Sequence, residues 1–176
     1  MIKSPYENAF VAFANIVYDT SELNRLIDDL NLIERSLFKN KEGTISAKAQ
    51  DYLTGAVISI FQEIEQAGLE PQGDQKQLQF LKDLVSYLNN LPVVKVTIAF
   101  DPATSYVIKL NNQISAMAGK KLVVEINVND KVIGGAIFEY RGKILEQTLQ
   151  NKLESKLSDL VQKLYAVKTP AVLSRP

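Results

Sequence analysis

The residues able to do chemistry in this chain are few. Its 176 residues include no cysteine and no histidine. That removes thiolate nucleophiles, disulfides, the commonest acid–base group and the commonest transition-metal ligand. Carboxylates, lysines and tyrosines remain. Asp28 and Asp29 cannot serve one site from a helix, where neighbours diverge by about 100°, and Glu63 and Glu65, two positions apart, fail similarly. No set of carboxylates has the spacing of a calcium loop. Gly134-Gly135 is the only glycine pair, whereas a phosphate cradle needs Gly-Lys-Ser/Thr or three spaced glycines. The pair reads as a strand start or bulge that a neighbouring backbone approaches closely. The expectation is a chain with no catalytic residues, no metal and no cofactor, whose function is binding.

Composition agrees with a folded binding protein. An apolar fraction of 46% and a charged fraction of 23% are those of a globular chain that folds without staples. The net charge of zero hides an asymmetry: residues 1–91 hold 8 Lys and Arg against 13 Asp and Glu, a balance of −5, and residues 92–176 hold 12 against 7, a balance of +5. Either the two halves face differently charged partners or two solvated surfaces have drifted. The basic residues are dispersed, without the arginine-rich or aromatic-interleaved stripe of a nucleic-acid binder. The apolar run Ala9 to Tyr18 is preceded by Glu7 and interrupted by Asn15, and no segment approaches the roughly 20 apolar residues that span a bilayer. A cytosolic chain that reaches a membrane only through partners is expected.

These residues sit on two kinds of element. Helix one, about Tyr6 to Tyr18, is apolar nearly all round, which either enclosure by its own bundle or a docked partner helix would explain. Asp19 with Glu22 opens helix two, which runs to about Phe38. A third helix runs from about Ser46 to Gly68. Asp74 with Gln77 opens a fourth, buried along Leu78, Leu81, Leu84, Val85 and Leu88 and ended before Pro92. From there the period drops to two. Val94, Val96, Ile98 and Phe100 alternate along a strand, and a helix over 103–118 follows, with Val107, Leu110, Ile114 and Met117 in register. A second strand covers Leu122 to Val128, and Ala136 to Leu145 forms a hairpin turning at Arg141-Gly142. A last helix, Thr148 to Tyr165, stripes Leu149, Leu153, Leu157, Leu160 and Leu164 among charges. The fold class is α+β: an N-terminal helical bundle over 1–91, a small C-terminal α/β domain with a mixed sheet and a terminal helix over 92–167, and an extended tail over 168–176.

Tyr6-Glu7-Asn8-Ala9-Phe10 in the first helix, the strand beginning Val93-Val94-Lys95-Val96, and Ile133-Gly134-Gly135 before a hairpin, taken in this order, form a pattern. It resembles the delta subunit family of F-type ATP synthases, known in mitochondria as the oligomycin sensitivity conferral protein. After the hairpin the family places an acid, a small residue and a serine ahead of a leucine-bearing helix. Here Glu146, Gln147 and Thr148 lead into Leu149 and Leu153, keeping the acid and the hydroxyl in type. The first half has about four helices where the family usually has six short ones. The E-type stalk protein of vacuolar and archaeal ATPases, which shares a related glycine pair and a threonine-leucine ending, is the close alternative; it opens with one very long charged helix, whereas this chain has stops near Asp19, Asn40 and Gly68, which favours the delta family. An unrelated two-domain adaptor is the other class that fits the two halves.

The resemblance implies a non-catalytic peripheral-stalk subunit on the cytoplasmic side of the membrane, resisting torque during proton-driven ATP synthesis. Its helical half would bind amphipathic N-terminal helices of the alpha subunits, and its C-terminal half the end of the membrane-anchored b subunit. On that reading Phe10, Phe13 and Val17 of helix one contribute to the alpha-subunit groove, and Lys152, Lys156 and Lys163 of the last helix face the b subunit.

Overall fold

A computed structural model describes residues 6–37, 43–50, 53, 55–149 and 157. Among them six helices and a four-stranded sheet form an α+β fold: α1 Glu7–Asn15, α2 Thr20–Ser36, α3 Ile45–Ala49, α4 Gly55–Gln66, α5 Asp74–Asn89, β1 Val93–Ile98, α6 Thr104–Ala118, β2 Val123–Val128, β3 Gly135–Tyr140 and β4 Lys143–Thr148. They fall into two compact units, Met1–Val93 with Ala103–Glu125 and Val94–Pro102 with Ile126–Pro176.

In the first unit α1 packs on α4 and α5, and α2 on α3 and α5. Their apolar stripes share one core that includes Phe13, Leu30, Ile33, Phe61, Leu81, Leu84 and Leu88. Aromatic rings interlock within it. Phe13 and Phe61 have centroids 4.9 Å apart, and Phe10 lies 5.4 Å from Phe80 and 5.6 Å from Tyr87. Asp19 is extended ahead of α2 and its carboxylate accepts the Glu22 amide at 2.8 Å. That satisfies one of the orphan donors of the first turn, as the sequence spacing predicts.

The single helix expected from Ser46 to Gly68 is two helices, α3 and α4. The reason is the wiring of the α3 N-terminus. Ser46 donates its amide and hydroxyl to the Glu65 carboxylate at 2.8 and 2.6 Å, and the Ile45 amide donates to Glu70 at 2.7 Å. In one straight helix, positions 46 and 65 would stand about 28 Å apart at 1.5 Å per residue. The chain must fold back for these bonds to exist. Asp74 is likewise not the cap of α5. Gly73, at φ 89°, is, and the Asp74 carboxylate instead takes a bond from Lys48 Nζ at 2.9 Å.

Helix α6 forms over the expected residues and ends at Gly119 in the left-handed conformation (φ 64°), where a side chain would be strained. Its inner face differs from the expected stripe. Val107 and Asn111 are buried, Leu110 and Ile114 are half-buried, and Met117 is 89% exposed. A buried polar group organises this helix: Asn111 Nδ2 donates to the Tyr18 carbonyl at 2.9 Å and the Leu122 carbonyl at 2.7 Å, and Asn111 Oδ1 accepts from Lys121 Nζ at 3.0 Å. With the Val124 amide also donating to the Tyr18 carbonyl at 3.1 Å, the segments around 18, 111 and 123 are pinned together within the first unit.

The sheet has strand order β2-β1-β3-β4. β1 and β3 are antiparallel, pairing Lys95 with Glu139 and Ile98 with Ala136. β3 and β4 form the predicted hairpin, turning on Arg141 (φ 51°) and Gly142 (φ 75°). Two consecutive positive φ values are those of a two-residue turn whose twist matches paired strands. Strand β1 buries Val94, Val96 and Ile98 in alternation, whereas Phe100, expected to continue it, lies beyond its end and is exposed. Strand β4 runs three residues past the expected Leu145, so Glu146, Gln147 and Thr148 belong to the sheet. Thr148 thus ends β4, and the next residue, Leu149, is already helical, one position after the expected helix start. Of the expected last helix beyond Thr148, Leu149 and Leu157 are helical, and its other residues lie outside the described residues.

Candidate functional site

Helix α1 and the residues just after its C-terminal end carry the first group of expected partner-binding residues. Phe10, Phe13 and Val17 are all buried, together with Ala9 and Ala14. They are core residues that set the height and tilt of α1. The apolar side chains this helix presents to solvent are Val11, 40% exposed, and Ile16, 37% exposed. The sequence does not single out Val11 or Ile16, because an apolar helix reveals its outer face only once its neighbours are known. Tyr6 stacks edge-on against Phe80 with centroids 4.9 Å apart, which gives the opening tyrosine a packing role.

Ile16 borders a surface groove of about 230 Å³ in the first unit. Val17, Leu26, Ala56 and Val57 supply apolar walls, and Glu22, Arg25 and Asp29 line the same groove from α2. Arg25 Nη1 lies 3.5 Å from Glu22 Oε1. Burial raises the Asp29 carboxyl above its ordinary pKa, opposed by Arg25 and reinforced by Asp28. Burial also raises Tyr18, with the neighbouring Glu22 and Asp19 adding to it. Asp28 and Asp29 indeed diverge: Asp28 is exposed and Asp29 is half-buried at the groove.

A second polar cluster is structural. Lys48, its side chain only 1% exposed, donates to Asp74 and to Gln77 Oε1, both at 2.9 Å. Gln77 Nε2 donates to Glu70 at 3.2 Å and to the Gly43 carbonyl at 3.3 Å. Burial raises the Glu70 carboxyl, opposed by the Ile45 amide bond. Every buried side-chain donor and acceptor among the described residues is satisfied, as a retained buried charge requires. The cluster joins α3 to the start of α5 with its hydrogen-bonding capacity used internally. Among the described residues no group of three or more carboxylates could hold a metal ion.

In the second unit the glycine pair acts as its spacing implies. Gly135 has φ 90°, and a Cβ there would collide with the Gln147 carbonyl of β4. Gly134, at φ 63°, accepts the Leu149 amide through its carbonyl at 2.9 Å. The pair therefore lets β3 begin flush against the end of β4. Glu146 and Thr148 share with Lys131 and Ile133 an open depression of about 290 Å³. Ile133, Ile144, Leu145 and Leu149 are exposed apolar residues of this unit. Lys152, Lys156, Lys163 and Leu153, the other residues named from sequence, lie outside the described residues.

Residues 75–160 match the family model described as ATP synthase delta (OSCP) subunit. That span contains α5 from its second residue onward, all four strands, α6 and the Gly134-Gly135 element. The chain is also 23% identical over 150 residues to a protein named ATP synthase subunit delta from Heliobacterium modesticaldum (strain ATCC 51547 / Ice1), covering 80% of each chain. Among the described residues no helix is long and apolar enough to cross a membrane.

Proposed function

We propose that this chain, whose residues 75–160 match the ATP synthase delta (OSCP) family model, serves as a non-catalytic peripheral-stalk subunit of a rotary ATP synthase. The family match is the observation that carries the reading, and the Heliobacterium relative extends it across most of the chain. In this role the first unit, as a helical bundle domain, binds amphipathic N-terminal helices of alpha subunits on the catalytic head. The C-terminal domain holds the end of the b subunit, on the cytoplasmic side of the membrane. Such a tether must resist torque while the central stalk turns, so it needs a stiff interior and broad apolar contacts with matched charge.

The architecture supports that work in physical terms. The interlocked Phe10, Phe13, Phe61 and Phe80 and the fully satisfied Lys48 cluster make the first unit hard to deform. Phe10, Phe13 and Val17 serve the alpha-subunit contact from beneath, holding Val11 and Ile16 at the surface. Lys152, Lys156 and Lys163 remain the proposed contacts to b. No turnover is assigned to the chain itself.

The test is coupling in the chain's own host. Membrane vesicles from cells lacking the chain should lose proton-driven ATP synthesis, while detached heads keep hydrolysing ATP, and purified chain added back should restore synthesis. Undiminished synthesis without the chain contradicts the proposal.

A further inference from the structure

Strand β2 is shared between the two units. Its buried start, Val123 to Glu125, belongs with the helices, and its end, from Ile126, with β3 and β4. The root of this strand is held on both sides. Successive backbone amides of a strand point to opposite edges: the Val123 amide donates to the Pro92 carbonyl at 2.9 Å, and the Val124 amide to the Tyr18 carbonyl at 3.1 Å. The α1–α2 junction thus lies along the edge of β2, yet the backbone pairing there is an isolated bridge between Asp19 and Val124. A lone bridge holds weakly, because the net worth of one such hydrogen bond is small.

Asn111 supplies the rest. It is fully enclosed on α6, and its Nδ2 donates both to the Tyr18 carbonyl at 2.9 Å and to the Leu122 carbonyl at 2.7 Å, one residue before β2 begins. Lys121 Nζ donates to Asn111 Oδ1 at 3.0 Å, which fixes the amide with its nitrogen toward the two carbonyls. Reversed, the amide would set oxygen against oxygen in an enclosed site and turn its own donor toward the ammonium. One side chain therefore joins α6, the α1–α2 junction and the root of β2.

We propose that Asn111 is the positioning residue through which load borne by the helices of the first unit enters β2. A pull on α1 reaches Tyr18, three positions beyond its end, and the Asn111 clamp passes it to the root of β2, from which the chain runs into the second unit. Without the clamp the junction hangs on its single bridge and yields before the strand is loaded. The inference rests on the stalk reading above and adds to it the route of the force.

Asn111→Leu tests it in the full chain, since leucine fills nearly the same volume and removes both donated bonds. Hydrogen exchange followed by NMR should show the Val124 amide exchanging at least about tenfold faster, with the β3–β4 amides unchanged. Added to vesicles lacking the chain, the variant should retain alpha and b subunits as the unaltered chain does, yet restore proton-driven ATP synthesis several-fold less. Unchanged exchange at Val124, full restoration of synthesis, or loss of partner retention, which would mark a general role in folding, each overturns the inference. A measurement on the unaltered chain guards against a variant that does not fold. As denaturant is raised, the Val123 and Val124 amides should open together with the buried amides of α2 and α5. Opening together with β3 and β4 overturns the clamp.

The stalk reading fails separately. An unaltered chain that restores no synthesis overturns that reading and the load path with it, while exchange at Val124 still decides whether Asn111 clamps the root of β2.

Discussion

The two units place their apolar residues differently. In the first, five helices close around side chains with almost no exposure, Phe13, Leu30, Ile33 and Leu84 among them. In the second, strand β4 exposes every residue from Lys143 to Gln147, with Ile144 64% and Leu145 57% exposed. Strand β3 is half-buried along most of its length. The first unit is thus held by what it encloses, and strands β3 and β4 by their hydrogen-bonded register and the glycine that seats them. The same substitution chemistry should therefore have opposite weight in the two units.

The largest effect is expected at Phe13. Phe13→Ala leaves a cavity between α1 and α4 and should lower unfolding free energy by about 3–5 kcal/mol in denaturant titration. A loss under about 1 kcal/mol would mean the ring is not enclosed as described. Next comes Gly135→Ala in the second unit, where a methyl meets the Gln147 carbonyl and the backbone is held at φ 90°. Strain of this kind should cost roughly 2–3 kcal/mol and perturb the β3–β4 amide signals by NMR.

A smaller loss, about 1 kcal/mol, is expected for Asp19→Ala, which removes the cap from the Glu22 amide. Asp19→Asn, which keeps an acceptor, should recover most of it by the same titration. The smallest effect is at Ile144, where replacement by serine should change stability by no more than about 0.5 kcal/mol. A loss there as large as at Phe13 would show that β4 is enclosed after all, and the contrast between the units would collapse.

The same contrast separates what the sequence made legible from what it did not. Local signals held: the Asp19 cap, the stop before Pro92, the alternation of β1, the Arg141-Gly142 turn and the close approach at Gly134-Gly135 all depend on a few neighbouring residues. What failed depends on partners far along the chain. The break between α3 and α4 follows from Ser46 reaching Glu65, and Asp74 leaves its expected capping role for Lys48, 26 positions away. Asn111 displaces the expected apolar stripe of α6 because it serves the Tyr18 carbonyl, 93 positions away. Spacing within one helix carries no information about such bonds.

The candidate site divides in the same way. That α1 is central was one of two readings its all-round apolar pattern left open, and packing decides for enclosure of Phe10, Phe13 and Val17. Val11, Ile16 and Asp29 gain their interest from the helices beside them, which periodicity alone does not identify.

The central claim is membership of a rotary ATP synthase through protein contacts alone. Affinity purification of the tagged chain from its own solubilised membranes, with mass spectrometry of what is retained, tests it most directly. The account predicts alpha, beta and b subunits together in stoichiometric amounts, while a purification that retains none of them would contradict it.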